Sequence, residues 1–268
     1  MFNVISFPGL GLEFEVSRSL FSVFGMPIYT YGLIIGLGLC LGFLYALSEV
    51  KKCGISQDDF YNMFLIGVPA AIICARIYYV IFNWDYYQNN LFDILNIRGG
   101  GIAIYGGVIG AAAAVLIYCK LKKLNIGKVL DILAVGLLIG QAIGRWGNFV
   151  NGEAFGSACN LPWAMTIEQD GKIVANMVHP TFLYESLANA VGVLLLCLYK
   201  KKKVFDGEIF CGYMVWYGLV RMFVEGLRAD SLYFGTIRVS QALSVVLLVM
   251  GLTLIAKNRK KHLTKEEN

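Results

Sequence analysis

Seven long apolar segments constrain the fold of this chain more than any other feature of its sequence. A helix needs about 20 apolar residues to cross a bilayer, where every backbone polar group must be paired within the protein. The segments cover residues 26–50, 60–82, 102–119, 129–146, 182–199, 209–224 and 241–256. They predict an all-α, polytopic membrane protein with about seven transmembrane helices.

The composition agrees with this prediction and excludes several other classes of protein. Hydrophobic residues make up 57% of the 268 residues and charged residues 15%, against about 25% charged residues in soluble domains. A disordered chain, a coiled coil and a typical soluble enzyme are therefore excluded. We expect residues 1–268 to form a single integral membrane domain that contacts membrane lipids. We expect no nucleic-acid partner, although the net charge is +5.

The lysine and arginine residues between the segments predict the orientation, because cytoplasmic loops carry an excess of them. One side holds fifteen: Lys51, Lys52, Lys120, Lys122, Lys123, Lys128, Lys200, Lys201, Lys202, Lys203, Lys257, Arg259, Lys260, Lys261 and Lys265. The opposite side holds five: Arg18, Arg98, Lys172, Arg228 and Arg238. The N-terminus is therefore predicted to lie outside, and the C-terminus, with a basic tail at 257–268, in the cytoplasm. Residues 147–181 then form a small outward-facing cap.

Side chains that usually bind metals are scarce. The chain has only two histidines, and its seven cysteines contain no C-x-x-C pair. We expect no metal site and no cofactor, and we expect the cysteines to act as small apolar residues. Glycines are abundant and recur at four-residue spacing, as at Gly32 and Gly36 or Gly38 and Gly42, which predicts close helix packing.

The fourth apolar segment ends in a stretch, residues 144–156, that mixes apolar residues with Arg145, Asn148, Asn151 and Glu153. Ionisable residues inside a membrane are costly and need a reason. We interpret the stretch as backbone that dips into a protein-lined cavity, where polar groups can be paired. The alternative is a helix end whose arginine reaches the lipid headgroups.

The sixth segment carries a second group of polar residues. Tyr217, Arg221 and Glu225 follow one another at four-residue spacing and share one helix face. Arg221 and Glu225 can form a structural ion pair. The other interpretation is an anion site, since a guanidinium can bind phosphate with two parallel hydrogen bonds.

Two further stretches favour a ligand site near helix ends. Residues 98–107 contain five glycines around Tyr105, and glycine lets backbone approach a ligand closely. His179 precedes Pro180 just before the fifth segment, and we expect Glu185 one turn later to pair with an arginine. Arginines together with tyrosine, histidine, asparagine and glutamate are typical of a site that binds a phospholipid headgroup. They indicate an enzyme or a binding protein for anionic lipid, but they do not indicate which reaction it catalyses.

Several of these motifs resemble one known family, the prolipoprotein diacylglyceryl transferases, which are bacterial membrane enzymes that lipidate lipoprotein precursors. The matching residues are Gly144-Arg145-Trp146-Gly147-Asn148-Phe149-Val150-Asn151-Gly152-Glu153-x-x-Gly156, His179-Pro180-Thr181-x-x-Tyr184-Glu185 and Tyr217-Gly218-Leu219-Val220-Arg221-x-x-x-Glu225-x-x-Arg228-x-Asp230. Tyr31-Gly32, Arg76 and the glycine-rich run around Tyr105 also match. The resemblance extends over about residues 20–256.

The resemblance implies a seven-helix fold in the bacterial cell membrane, with the active site toward the outer face. It implies transfer of an sn-1,2-diacylglyceryl group from phosphatidylglycerol to the lipobox cysteine of a prolipoprotein signal peptide, with release of glycerol 1-phosphate. We expect Arg145, Arg221 and Tyr105 to be catalytic. The expected phosphatidylglycerol-binding residues are Tyr31, Arg145, Asn148, Asn151, Glu153, Gly156, Tyr217 and Arg221, and His179, Arg76 and Glu225 are further candidates.

Tyr105 departs from the pattern of many family members, which carry a histidine proposed as the base for the thiol. A phenol with a pKa of about 10 is a poor base near neutral pH. His179 could take the proton instead, or the lipobox thiol could ionise in the field of the arginines.

Two other functions compete with the transferase. A transporter or channel with an arginine-lined anion site would also place arginines at membrane depth. A lipid-binding membrane subunit without catalytic activity is the third possibility.

Overall fold

The computed structural model describes residues 2–97, 100–229, 233–235 and 237–266. Three residues named in the motifs, Arg98, Gly99 and Asp230, lie outside these ranges. The chain divides into two compact units, of which the first combines residues 1–46 with 130–268 and the second contains residues 47–129.

Helices dominate the described residues. They are α1 (Thr30–Val50), α2 (Gln57–Phe82), α3 (Trp84–Tyr87), α4 (Ile104–Leu121), α5 (Ile126–Asn151), α6 (Thr181–Tyr199), α7 (Glu208–Leu227) and α8 (Val239–Glu266). The strands are β1 (Phe2–Phe7), β2 (Leu12–Ser17), β3 (Ser19–Val23), β4 (Met26–Tyr29), β5 (Met165–Gln169), β6 (Lys172–Val178), β7 (Tyr233–Phe234) and β8 (Ile237–Arg238). Short 3-10 turns lie at Pro8–Leu10, Lys51–Cys53, Leu91–Leu95 and Lys200–Lys202.

The predicted apolar segments correspond to long helices, which confirms a polytopic, mainly helical membrane protein. The ends of each predicted segment lie within a few residues of the ends of one helix or inside that helix. The first segment, 26–50, differs in that its first four residues form β4. Among the described residues, six helices are long and apolar enough to cross a membrane: α1, α2, α4, α5, α6 and α8. Helix α7 carries Glu208, Arg221 and Glu225 and is not among them. A seventh span and the orientation remain predictions.

An antiparallel sheet joins the N-terminal residues to the cap. Its strand order is β2-β1-β5-β6. Ile5 of β1 pairs with Ile167 of β5, and both residues are buried in a cluster with Phe149 of α5 and Phe182 of α6. The sheet therefore fixes the cap where α5 ends and α6 begins. The sequence predicted the cap but no strands, because short strands have a far weaker apolar signal than a membrane helix.

Glycines let α1 and α5 pack with their backbones in contact. A Cβ atom at Gly42 would lie 2.6 Å from the carbonyl oxygen of Gly136. The predicted role of Gly38 and Gly42 in close packing is thus confirmed. At Gly32 and Gly36 a Cβ would meet no atom within 4 Å, so these two glycines do not make such a contact with the described residues.

Two carboxylates, Asp131 and Glu208, hold together the start of α5, the start of α7 and the C-terminal part of α8. Asp131 of α5 accepts hydrogen bonds from the amides of Gly207 and Phe210 and from Nζ of Lys203, each at 2.9 Å. Burial lowers the pKa of Lys203, but its hydrogen bonds to Asp206 and Asp131 outweigh this effect and raise the pKa above its ordinary value.

The buried Glu208 supplies the second of these carboxylates. Its carboxylate accepts from the hydroxyl of Tyr199 at 2.6 Å and from Nε of Arg259 at 2.5 Å. Because Tyr199 ends α6 and Arg259 lies on α8, Glu208 ties both helices to the start of α7.

The second unit is built on α2 and α4. Helix α2 begins at a serine cap, in which the Ser56 side chain accepts from the amide of Asp58 at 3.1 Å. Gly106 and Gly110 of α4 lie against backbone oxygens of α2, at Cys74 and Ala70 respectively. Small residues thus permit close packing here as well.

Candidate functional site

Helices α5, α6 and α7 bring three ionisable side chains together at one end of the first unit. Glu185 lies in the second turn of α6 and is only 4% exposed. Its Oε1 accepts from Nη1 of Arg221 at 2.5 Å, and its Oε2 pairs with Nε of Arg145. The expected pairing of Glu185 with an arginine is therefore confirmed, and the structure shows two arginines sharing it.

A second glutamate balances the charge of these arginines. Oε2 of Glu225 lies 2.7 Å from Nη2 of Arg221, one turn away on α7, and Glu225 is 1% exposed. The backbone oxygen of Glu225 accepts from Nη1 of Arg238. Two arginines and two glutamates together carry no net charge, which lowers the cost of placing them in a membrane.

Arg145 is the more open of the two arginines. Its side chain is 24% exposed, against 14% for Arg221. Its Nη1 donates to the side-chain oxygen of Asn148 at 3.1 Å. The described contacts of Arg145 are made by Nε and Nη1, so Nη2 has donors that a ligand could use.

The polar residues after Arg145 bind one another. Nδ2 of Asn148 donates to Oε1 of Glu153 at 3.0 Å, and Nδ2 of Asn151 donates to the same oxygen at 3.3 Å. Glu153 is exposed, so this network opens toward the surface of the unit.

The interpretation of this stretch as dipping backbone was wrong for residues 144–151, which continue α5 as regular helix. Only residues 152–156 leave the helix, beginning with Gly152 at a φ of 65°. Helix is retained because its backbone groups are paired internally and its polar side chains are paired with one another.

Tyr31, in the first turn of α1, lies against the motif helix. A Cβ atom at Gly147 would lie 2.7 Å from a ring carbon of Tyr31, so the aromatic ring occupies the space that the missing side chain leaves. Tyr217 lies one turn before Arg221 on α7, and its ring stacks on Tyr213 with 5.7 Å between centroids. Both predicted tyrosines thus belong to the same unit as the arginines.

Gly156 and His179 lie together beside the end of α7. The amide of Gly156 donates to the carbonyl oxygen of His179 at 2.9 Å. A Cβ atom at Gly156 would lie 2.6 Å from Cβ of His179 and 2.9 Å from the backbone oxygen of Leu227. Nδ1 of His179 lies 3.3 Å from the hydroxyl of Tyr184. Glycine is required here by the packing of the protein itself.

Arg76 and Tyr105 belong to the second unit. Arg76 is buried, and its three nitrogens donate to five backbone oxygens of the segment that follows α2: Asp93, Ile94, Asn96, Gly100 and Gly101. These bonds use all five N–H groups of the guanidinium, so Arg76 holds the segment after α2 in its fold. Tyr105 is half-buried in the first turn of α4.

Two polar residues in the middle of helices are not among the site residues predicted from the sequence. Gln141 of α5 and Asn189 of α6 each have a buried side-chain oxygen. A signal for them was present, since an amide side chain within an apolar segment is unusual in a membrane helix.

The helices and the arginine–glutamate cluster define a multi-helix membrane protein with ionisable groups held inside its bundle. The model of the prolipoprotein diacylglyceryl transferase family matches residues 18–257, and the chain belongs to this family.

Relatives with closely similar sequences support the assignment. The chain is 47% identical to a phosphatidylglycerol–prolipoprotein diacylglyceryl transferase of Finegoldia magna over 253 residues, which is 94% of this chain and all of the relative. It is 43% identical to the protein of the same name from Clostridioides difficile, over 94% of this chain and all of that relative. The relative from Bacillus cytotoxicus is 44% identical over 94% of this chain and 95% of its own length.

Proposed function

We propose that this chain transfers the sn-1,2-diacylglyceryl group of phosphatidylglycerol to the lipobox cysteine of prolipoproteins in the bacterial cell membrane. This is the first step of lipoprotein maturation. Its substrates are phosphatidylglycerol and prolipoprotein signal peptides. Family membership favours this transferase over a transporter and over a lipid-binding subunit without activity.

The observation that carries the proposal is the pairing of Arg145 and Arg221 with one glutamate, Glu185, at the ends of three helices. Held in this way, two guanidiniums are fixed in position before substrate arrives. Preorganised donors are most effective where charge develops during a reaction. Here charge develops on the departing phosphate, and Arg145 keeps donors to meet it.

The chemistry breaks one bond and forms one. The thiolate sulfur attacks the glycerol carbon that bears the phosphate, a C–S bond forms, and the C–O bond to phosphate breaks. Glycerol 1-phosphate leaves with the electron pair, and the product is a thioether. Arg145 and Arg221 stabilise the charge on the leaving phosphate through paired hydrogen bonds.

The neighbouring polar groups orient the headgroup. Asn148 and Asn151 donate amide hydrogen bonds, and Glu153 holds both amides in place. Tyr31 and Tyr217 flank the headgroup, while Gly156 keeps the backbone tight beside it. Glu225 holds Arg221 in position.

The proton of the thiol has three candidate routes. Tyr105 and His179 are two candidate acceptors, and in the third route the thiol ionises in the field of the arginines and gives its proton to water. Tyr105 is proposed as a catalytic residue on the basis of the glycine-rich run around it. Arg76 is proposed as a residue that holds the segment between α2 and Tyr105 in its fold.

The test is direct transfer by the purified protein. Protein incubated with phosphatidylglycerol and a lipobox peptide should add the mass of one diacylglyceryl group to the peptide. Arg145→Lys and Arg221→Lys should each lower turnover by about 10²–10³, because a point charge cannot replace the guanidinium fork.

Arg259→Lys is the matched control, since Arg259 also pairs with a buried glutamate but at the other end of its unit. It should keep near-wild-type turnover. A wild-type protein that leaves the peptide mass unchanged would contradict the proposed function, and near-normal turnover in the Arg145 or Arg221 variants would contradict the role of the arginines.

A further inference from the structure

A second layer of polar side chains lies one helical turn from the Glu185 cluster. Gln141 precedes Arg145 by four residues on α5, Asn189 follows Glu185 by four on α6, and Tyr217 precedes Arg221 by four on α7. Residues four apart share one helix face. Because α5 and α7 run toward the cluster and α6 runs away from it, all three lie on the same side of it, about 6 Å along the helices.

Contacts between helices place these residues within about one helical turn of a common level. Nε2 of Gln141 donates to the hydroxyl of Tyr213 at 2.9 Å, and the Tyr213 ring stacks on Tyr217. On the α6 side, the residue just before Asn189, Ala188, accepts from Nε1 of Trp216 at 3.0 Å. We refer to Gln141, Asn189 and Tyr217 as the inner layer.

Two oxygen atoms of the inner layer are buried without a partner. Oε1 of Gln141 and Oδ1 of Asn189 have no hydrogen-bond donor among the residues that the structure describes, and Asn189 is only 3% exposed. Buried polar groups are normally hydrogen-bonded, so each exception needs an explanation. An amide oxygen only accepts hydrogen bonds, and the missing partner is therefore a donor such as a hydroxyl.

Ser186 lies on α6 like Asn189, but all its hydrogen bonds are made within the protein. Its hydroxyl accepts from Nε1 of Trp146 at 3.1 Å and donates to the backbone oxygen of Ala142 at 2.8 Å. This buried polar group is fully paired within the protein. Burial within these helices does not by itself leave a polar group unpaired, so the two oxygens of the inner layer need a partner of their own.

We propose that Gln141 and Asn189 accept hydrogen bonds from the two free hydroxyls of the phosphatidylglycerol headgroup. The inference rests on the proposed function, in which Arg145 and Arg221 bind the phosphate. The glycerol unit extends from that phosphate over a length comparable with one helical turn, about 5.4 Å. Anionic lipids without free hydroxyls leave both oxygens unpaired. Gln141 and Asn189 are therefore specificity-determining residues.

The test compares two lipids that differ only in these hydroxyls. Phosphatidylpropanol has the same charge and headgroup chain length as phosphatidylglycerol and no free hydroxyl. We expect wild-type protein to prefer phosphatidylglycerol in kcat/KM by about a hundredfold, because phosphatidylpropanol loses two hydrogen bonds worth about tenfold each. Gln141→Met and Asn189→Leu, which keep the side-chain volume, should each reduce that preference by about tenfold, the factor equivalent to about 1.4 kcal/mol, which is within the range for one hydrogen bond.

Ser186→Ala is the matched control, and it should change kcat/KM for both lipids by the same factor. An unchanged preference in folded Gln141 and Asn189 variants would assign their oxygens to an internal role and overturn the proposal. Equal use of both lipids by wild-type protein would overturn it without any variant. Wild-type protein that turns over neither lipid would instead contradict the proposed function.

Discussion

Oε1 of Glu185 on α6 lies 2.5 Å from Nη1 of Arg221 on α7, and its other oxygen pairs with Arg145 on α5. One carboxylate therefore joins three helices and holds two guanidiniums side by side. Without it, two positive groups would lie close together inside the bundle. Its charge is thus needed for the fold as well as for the site.

Glu185→Gln should destabilise the protein by about 3–5 kcal/mol, because it leaves buried charge without its partner. We expect a lower midpoint of thermal unfolding in detergent, together with a loss of transfer activity. Glu168→Gln on β5 is the control, since no ion pair of Glu168 is among the described contacts, and it should unfold near the wild-type temperature. A Glu185→Gln protein as stable as wild type would show that the arginines do not require this charge.

Gly42 and Gly36 form a matched pair on α1. Alanine at 42 would place its Cβ 2.6 Å from a backbone oxygen of Gly136, whereas alanine at 36 meets nothing within 4 Å. Gly42→Ala should therefore lower the unfolding temperature. Gly36→Ala should be neutral or stabilising by up to about 1 kcal/mol, because alanine favours helix over glycine. Equal effects of both changes on unfolding would contradict the close contact of α1 with α5.

Arg76→Lys should loosen the segment between α2 and α4. Lysine supplies three donors where the guanidinium uses five, so at least two backbone oxygens of that segment lose their partner. Hydrogen exchange should speed up over residues 91–97 and 100–101. Tyr86→Phe, which removes one exposed hydrogen bond to Asp93 in the same segment, should change exchange little. Unchanged exchange in Arg76→Lys would show that the segment folds independently of this residue.

Tyr105→Phe should slow turnover by about tenfold to a hundredfold, the scale of one lost hydrogen bond to a charged group, about 1.5–3 kcal/mol. We expect the remaining activity to keep the wild-type dependence on pH, because another group would accept the thiol proton. Turnover measured across pH decides this. An inactive Tyr105→Phe together with a fully active Tyr105→His, whose optimum moves toward the pKa of histidine, would identify residue 105 as the base.

The predicted orientation can be tested by labelling in intact cells. In a variant without native cysteines, Lys172→Cys on β6 should react with a membrane-impermeant maleimide from outside. Lys201→Cys, which lies in the exposed 3-10 turn after α6, should react only after the membrane is opened. The reverse pattern of labelling would refute an outward-facing cap.

Much of the fold followed from the sequence because hydropathy is a local property. About 20 apolar residues specify a membrane helix wherever they occur. The spacing of Arg221 and Glu225 likewise showed that they share one helix face and can pair, without any knowledge of neighbours. The motif around Arg145 could be recognised as polar for the same reason, although a helix end was only the alternative interpretation of its backbone.

Tertiary structure decided which distant groups meet. The side chain of Asn3 on β1 donates to the backbone oxygen of Val150 on α5, 147 residues away. The short strand that carries Asn3 has little signal of its own in the sequence. Glu185 meets both arginines, and Gln141 lies at the level of Asn189, only because α5, α6 and α7 pack in one arrangement. Such contacts depend on helix order, rotation and register together, and local composition specifies none of these three.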